Sequence, residues 1–578
     1  MNKQEKIICM VLGLALMWCF FAGRSSKPAE QSEAQAQPAV TNEVSQAVAP
    51  AETKVSVEEK AEPKKVVEAP KVPEEIVVLE NDELKLELTT WGGAVKTAVL
   101  KKISSQAGEI SESNKPVLLD YSLSPLGHLN GEADSVVYAL KSKEGGSVVF
   151  TNVNGGVERK ITLKSGYGVV FEDAFAEASL AKGNSMSLGV MEMGKGESDI
   201  LSVDSLDANG KVIHYGDSDE TALYPLLAGG TAAGGCGCGG PRSAKGEGEW
   251  RSGKVDSFQK WIALKNRFFV TALVNSDQAN AGFSVNVSRE MALDTYRPKA
   301  LLANVLFADG ASKRTTEFFV GPKNQSLLWE AGMKDVMEFG MWRWVCYPMV
   351  WALNFFHSII PNYGVAIILL TILVRLIFWP LTRKSTEGMK KMQEIQPLLK
   401  ELQVKFKDNP QRLQQETWAL YREKKVNPMS SCLPMLIQIP IFIALFNVLR
   451  SMVELRYASF LWIPDLSEPE HLFASVFPFG GLNILPLLMA GTMFLQSKLT
   501  PSTGDKNQQR MMTVFMPLMM LFMFYNFASA LSLYWTVSQA LSILQMWLMR
   551  RETQRREKAL EPEVIDPPQT TRQMRRHG

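Results

Sequence analysis

PNYGVAIILLTILVRLIFWP, residues 361 to 380, decides how the rest of the chain is read. A helix of about 20 apolar residues crosses the hydrocarbon core of a bilayer. This stretch has that length and is apolar except for Arg375, roughly two-thirds of the way along. A charge at that depth costs about 2.5–3.5 kcal/mol on insertion scales, so it normally faces a partner or a wet cavity. The segment therefore predicts a membrane span, here 362–381, with a polar interior behind it.

Residues 383–430 carry eleven Lys and Arg against six Asp and Glu, which by the positive-inside rule places them in the cytoplasm. Met389, Met392, Ile395, Leu399, Leu402 and Phe406 recur at helical spacing. Asp408, Asn409 and Pro410 form a turn and a helix start, and a second helix runs to about Lys425. The expectation is a cytoplasmic helical hairpin. Its basic faces suit anionic lipid or ribosomal RNA, and a solvated structural hairpin accounts for them equally.

Four more apolar stretches follow, at 432–450, 482–499, 512–527 and 529–549. Gln438 and Gln496 are polar exceptions within them, and Met511, Met512, Met516, Met519, Met520 and Met523 cluster on one expected helix. Arg456 faces four acids in the loop 452–480, which points outward. Lys506, Arg510 and the basic tail 550–578 point inward. Residues 331–360 are rich in Trp, Tyr and Phe and interrupted by Pro348. They read as an amphipathic interfacial helix that breaks at Pro361 and Asn362.

At the other end, Lys3 and Lys6 precede an apolar run within residues 1–24. A cleaved signal peptide is one reading. The absence of an A-x-A site favours an uncleaved N-terminal anchor, which brings the spans to six and both termini to the cytoplasm. Residues 25–75 lack aromatic residues and read as a disordered linker. From 76 to 330, short alternating runs such as ELKLEL (83–88), SVVF (147–150), GVVF (168–171) and FSVNV (283–287) predict a β-sandwich. The stretch TTWGGA (89–94) resembles the opening of sugar-binding sandwiches of the mutarotase type. His128 and His214 are the histidines of this region and show no metal spacing. No catalytic pair is recognisable, and no GxxxxGK motif suggests nucleotide use. The chain is therefore not expected to be an enzyme and calls for no cofactor. Cys236 and Cys238, in the Gly-rich loop 228–248, could ligate a soft metal, but a plain flexible loop explains them better.

The motifs TILVR (371–375), PLT (380–382), EIQP (394–397), EKKVNPMSS (423–431), CLPMLIQIPIF (432–442) and LSLYW (531–535) together resemble the YidC family of membrane protein insertases, within the YidC/Oxa/Alb superfamily. The anchor and the large second domain resemble Gram-negative members. The resemblance implies a polytopic α-helical membrane protein with a five-helix insertase core and a periplasmic β-supersandwich. It implies insertion and folding of inner-membrane proteins, alone or beside the Sec translocon, with nascent chains, ribosome and lipids as partners. It implies a hydrophilic groove, closed to the periplasm, holding Arg375 with Thr371, Tyr534 and Trp535, and Gln438 and Gln496 as further lining. Trp535 stands where other members often have Tyr. An anion-binding transporter or channel built on Arg375 is the competing class, although the inverted repeat of spans expected there is not visible.

Overall fold

The computed structural model describes residues 73–560 except 106–110, 112–113, 131–136, 154, 178–180, 182–184, 193–200, 207–209, 217–250, 256–257, 278–279, 293–294, 308–311, 338, 427–432, 473–480 and 501–509. The anchor, most of the linker, the loop with Cys236 and Cys238, and residues 561–578 of the tail lie outside the described residues. The chain divides into two compact units. One runs to Val350 and takes in Phe446–Ala458; the other comprises Trp351–Leu445 and the chain from Ser459 onward.

The first unit is built of antiparallel sheets. Strands β1 (Ile76–Glu80), β2 (Leu84–Thr89), β3 (Ala94–Ser104) and β4 (Pro116–Asp120) form a four-stranded sheet in that order. The remaining strands are β5 (Leu129–Asn130), β6 (Tyr138–Glu144), β7 (Ser147–Asn152), β8 (Val157–Leu163), β9 (Gly168–Phe175), β10 (Ser185–Glu192), β11 (Ser202–Leu206), β12 (Val212–Gly216), β13 (Arg251–Val255), β14 (Gln259–Lys265), β15 (Phe269–Ser276), β16 (Asn280–Ala292), β17 (Thr295–Phe307) and β18 (Lys313–Pro322). They form a five-stranded sheet, β13-β16-β17-β10-β5, and a nine-stranded sheet, β12-β11-β14-β15-β18-β9-β8-β7-β6. These two sheets meet where β10 and β17 pack on β14 and β15. Period-two patterning puts one side of each strand in the core: Leu84, Leu86 and Leu88 of β2 are fully buried. The fold begins slightly before the expected boundary. Glu75 exchanges backbone and side-chain bonds with Thr90, and Glu74 pairs with Lys96 at 2.8 Å.

Two ion pairs with both partners buried lie among the described residues of this unit. Arg159 of β8 meets Asp173 of β9 through Nε–Oδ1 at 2.6 Å and a second nitrogen–oxygen contact at 3.1 Å. Its other terminal nitrogen donates to the carbonyls of Gly93 and Gly127 at 3.0 and 2.7 Å. Gly127 has φ +81°, and a Cβ there would fall 2.4 Å from the Phe171 ring, so glycine is required. Lys265 pairs with Asp204 and donates to the Val336 carbonyl at 2.9 Å.

Helix α1 (Gln325–Glu330) closes the sheet region, and α2 (Arg343–Ile359) follows after two short 3₁₀ turns. Pro348 does not interrupt α2 as the sequence suggested. It lies inside the helix, and the carbonyl four residues back, which it deprives of a donor, belongs to Trp344, an exposed residue.

The second unit contains α3 (Tyr363–Ile377), α4 (Trp379–Glu394), α5 (Gln396–Lys405), α6 (Pro410–Glu423), most of α7 (Leu433–Ser451), α8 (Ile484–Leu499), α9 (Met516–Phe524) and α10 (Ser529–Leu560). The Asn362 side chain caps α3 by accepting from Val365 N at 3.1 Å. Helix α3 stops at Ile377, short of the expected 381, and the chain turns by 61° into α4. Pro380, in the first turn of α4, has no N–H to continue the α3 ladder, which explains the early stop. Pro397 acts likewise at the start of α5, so the expected two-helix hairpin has three helices. Its small core is Met392, Ile395 and Val426, with Leu399 and Tyr421 against it. The Met-rich segment is also not one regular helix: Met511–Phe515 is a π-helical turn that precedes α9. Among the described residues no single helix is long and apolar enough to cross a membrane, while α3 and α4 meet that test together as a bent pair.

Candidate functional site: the Arg375 group

Arg375 occupies the last turn of α3, against α10. Its guanidinium donates to Ser538 Oγ from Nε at 3.2 Å and from a terminal nitrogen at 2.6 Å. Among the described residues it forms no ion pair with a carboxylate. A serine orients the charge and leaves it uncompensated.

Tyr534 lies one turn before Ser538 on α10 and is buried. Its hydroxyl accepts from Gln438 Nε2 of α7 at 2.9 Å. The structure therefore gathers Arg375, Tyr534 and Gln438 with Ser538. Thr371, one turn before Arg375, is buried, and its hydroxyl donates to the Ile367 carbonyl at 2.6 Å, within its own helix. Trp535 turns to an aromatic cluster instead: its ring lies 5.0 Å from Phe442 and 5.5 Å from Phe524. Gln496 is half-buried near the end of α8, and no hydrogen bond joins its side chain to the Arg375 group.

The sequence reading missed the polar stripe of α10. Tyr534, Ser538, Ser542 and Gln545 are spaced by four, four and three residues, which puts them on one face. All four are buried. Ser542 Oγ donates to the Ser538 carbonyl at 3.1 Å. Ser532 Oγ, Trp535 Nε1, Gln539 Oε1 and Gln545 Nε2 are buried and lack a partner among the described residues. Each buried polar atom left unsatisfied costs about 1–3 kcal/mol, so such a group marks a place for water or a ligand. The signal was present: serine and glutamine recurring at helical spacing within an apolar run. Chemically the group offers one fixed positive charge and several amide and hydroxyl partners, suited to holding a carboxylate or a peptide carbonyl.

A family model described as "60Kd inner membrane protein" matches residues 355–557, and one described as "YidC periplasmic domain" matches 244–352. The membrane protein insertase YidC of Syntrophobacter fumaroxidans is 41% identical over 303 residues, covering 50% of this chain and 53% of that protein. Its namesake in Syntrophus aciditrophicus is 38% identical over 298 residues, covering 50% and 52%. The chain thus spans about half the length of the curated relatives it matches. A crystal structure of an active YidC insertase with its first transmembrane domain resolved is 19% identical, with a TM-score of 0.34, and covers 83% of this chain and 93% of that one. The two matched models are consecutive and cover the end of the sheet unit and most of the helical unit, and on them the chain belongs to the YidC family, in its form with a periplasmic domain.

Proposed function

We propose that this chain is an inner-membrane insertase, which receives polar segments of nascent membrane proteins at Arg375 and releases their apolar segments into lipid. The observation that carries the reading is Arg375 hydrogen-bonded to Ser538 with no acidic partner among the described residues. An arginine does not deprotonate in a protein, so it acts as a fixed charge and not as a proton relay. In a partly dehydrated groove its attraction for a substrate carboxylate far exceeds that in water. A membrane potential then favours outward movement of that carboxylate by about 2.3 kcal/mol per charge per 100 mV. Leu373, Leu376 and Ile377 on α3 are exposed and offer an apolar flank for the following helix.

In this reading α3, α7, α8, α9 and α10 with the N-terminal segment make six spans. The sheet unit is periplasmic, and the termini and the α4–α6 hairpin are cytoplasmic. The hairpin and tail meet the ribosome and anionic lipid, and the Sec translocon works beside the chain on larger substrates. The relatives' printed name and the basic character of 383–430 support these assignments.

The test is photo-crosslinking from positions 371, 535 and 538 to a stalled membrane-protein nascent chain, with insertion measured in proteoliposomes. Crosslinks are expected from 535 and 538. Arg375→Ala should lower insertion most. Ser538→Ala should lower it less, by about ten- to a hundredfold, the scale of one hydrogen bond to a charged group. Crosslinks absent from all three positions, together with anion flux that depends on Arg375, would replace the insertase reading with a transporter.

A further inference from the structure

Helix α7 ends at Ser451, a 3₁₀ turn follows over Val453–Leu455, and Tyr457 then sits at φ +57°. A non-glycine residue keeps that left-handed backbone only where its surroundings hold it. Its neighbour Arg456 supplies much of the hold. The guanidinium carbon lies 5.7, 5.2 and 4.6 Å from the ring centres of Phe268, Phe269 and Tyr457, and a terminal nitrogen donates to the Ser104 carbonyl at 3.2 Å.

This turn forms one wall of a cavity of about 390 Å³. The other walls are the end of β3 from Lys102 to Ser104, Tyr167, and the start of α1 with Pro322 and Asn324. All of them belong to the first unit. Sites for small ligands commonly measure about 300–1,000 Å³. Glu454 and Arg456 both line the cavity, yet among the described residues neither forms an ion pair, with the other or with a third group. Asn324 Nδ2 donates to Glu454 Oε1 at 2.5 Å, which orients the carboxyl without neutralising it. Lys102, the other cation of the lining, is already paired with Glu83 at 2.7 Å. A guanidinium and a carboxyl held apart in a partly dehydrated space call for a ligand with two opposite charges, whose attraction is stronger there than in water. The planar fork of an arginine suits phosphate oxygens, and a carboxylate accepts from an ammonium.

We propose that this cavity binds the phosphoethanolamine headgroup of a phospholipid, with the phosphate at Arg456 and the ammonium at Glu454. Its place in the chain favours a lipid over a solute, because the lining begins just past the end of the apolar helix α7. The proposal rests on the insertase reading for one point, that this end of α7 meets the outer surface of the bilayer. The site is separate from the basic hairpin 383–430, whose surplus of cations selects lipids of net negative charge.

The test takes the purified full chain in detergent, adds dioleoyl phosphatidylethanolamine, phosphatidylglycerol or phosphatidylcholine, and follows retained lipid by native mass spectrometry. Wild type should hold the ethanolamine lipid about ten- to a hundredfold more tightly than the glycerol lipid, the scale of one hydrogen bond to a charged group. It should also prefer it to the choline lipid, whose ammonium has no N–H to donate. Glu454→Gln keeps an acceptor for Asn324 and should abolish the preference while the glycerol lipid still binds. Arg456→Gln should weaken both. In phosphatidylcholine nanodiscs, added ethanolamine lipid should slow amide exchange at 102–104 and 453–457 and leave the α4–α6 hairpin unchanged. Equal retention of the lipids by wild type overturns the proposal, as does a preference that survives Glu454→Gln. Soluble glycerophosphoethanolamine that competes as well as the lipid overturns the assignment to a membrane source. If Arg456→Gln is not recovered folded, Glu454→Gln and the exchange pattern decide. Nascent-chain insertion by the wild type is measured in parallel in phosphatidylglycerol vesicles. Failed insertion with the lipid preference intact counts against the insertase reading alone, and normal insertion without the preference counts against this site alone.

Discussion

Arg159 and Arg375 meet the cost of leaving water in opposite ways. Arg159 is fully buried, paired with Asp173 and spread over backbone carbonyls, so its charge is used up in holding strands together. Arg375, partly buried, is held by one hydroxyl and has no carboxylate partner among the described residues. Breaking a buried pair by removing one partner typically costs about 3–5 kcal/mol, because the other charge is stranded, whereas replacing both by apolar groups is often near neutral. Asp173→Leu should therefore destabilise the sheet unit by about that amount. The double variant Arg159→Met, Asp173→Leu should recover only part of it, because the Gly93 and Gly127 carbonyls stay without their donor. Thermal unfolding of the full chain, followed by the β signal in circular dichroism, checks both; equal melting temperatures for wild type and Asp173→Leu would contradict the argument. Arg375 was legible because a charge interrupts an apolar run. Arg159 was legible too, but less openly: in VERKITL, period two puts it on the same side as Val157, Ile161 and Leu163. Ordinary strand chemistry hid it, since alternating charge usually means a solvated face.

At the scale of elements, prolines and caps set the boundaries more sharply than hydropathy does. Apolar length alone runs the first core helix to 381, while Pro380 ends it at Ile377 and Pro397 divides the arm below. The hairpin that results is weakly built, with a three-residue core and mostly exposed faces. Local capping should therefore count for much of its stability. Asn409 accepts from Arg412 N at 3.0 Å and caps α6, with Pro410 in the first turn. Asn409→Ala should cost about 1 kcal/mol of hairpin stability. That corresponds to roughly fivefold faster amide exchange through α6, while α3 and the sheet unit keep wild-type protection. Unchanged exchange in α6 would mean that tertiary contacts, and not the cap, hold the hairpin. The cap, the turn and both arms were readable from Asp408, Asn409 and Pro410 and the spacing of the apolar residues. The break at Ile395 was not, because periodicity continues through it while the backbone does not.

At the scale of the whole molecule, the first unit is discontinuous: it takes in Phe446–Ala458, more than a hundred residues beyond the last strand. No local pattern announces this, because the bonds join residues far apart in sequence. Arg267 Nε donates to the Arg450 carbonyl at 3.1 Å, and Arg456 donates to the Ser104 carbonyl at 3.2 Å and lies over the Phe269 ring. Asn324 both caps α1 through Oδ1 and donates from Nδ2 to Glu454 Oε1 at 2.5 Å. Glu454 lines a cavity of about 390 Å³ with Tyr167, Asn324 and Arg456. Burial raises its carboxyl above the ordinary value of 4.5, against the opposing hydrogen bond from Asn324. With the folded value above the unfolded one, the unfolded chain releases this proton first as pH rises. Stability from this group is therefore full below about pH 4.5, falls as pH climbs toward the raised value, and is flat beyond it. Glu454→Gln keeps the acceptor for Asn324 and removes the titration. It should abolish that part of the pH dependence and leave the variant more stable than wild type at neutral pH. Amide exchange of 450–457, measured from pH 4.5 to 8 after correction for intrinsic rates, reads the attachment of this segment directly. Parallel pH profiles for wild type and Glu454→Gln would show that the Glu454 carboxyl is not what makes that attachment pH-sensitive.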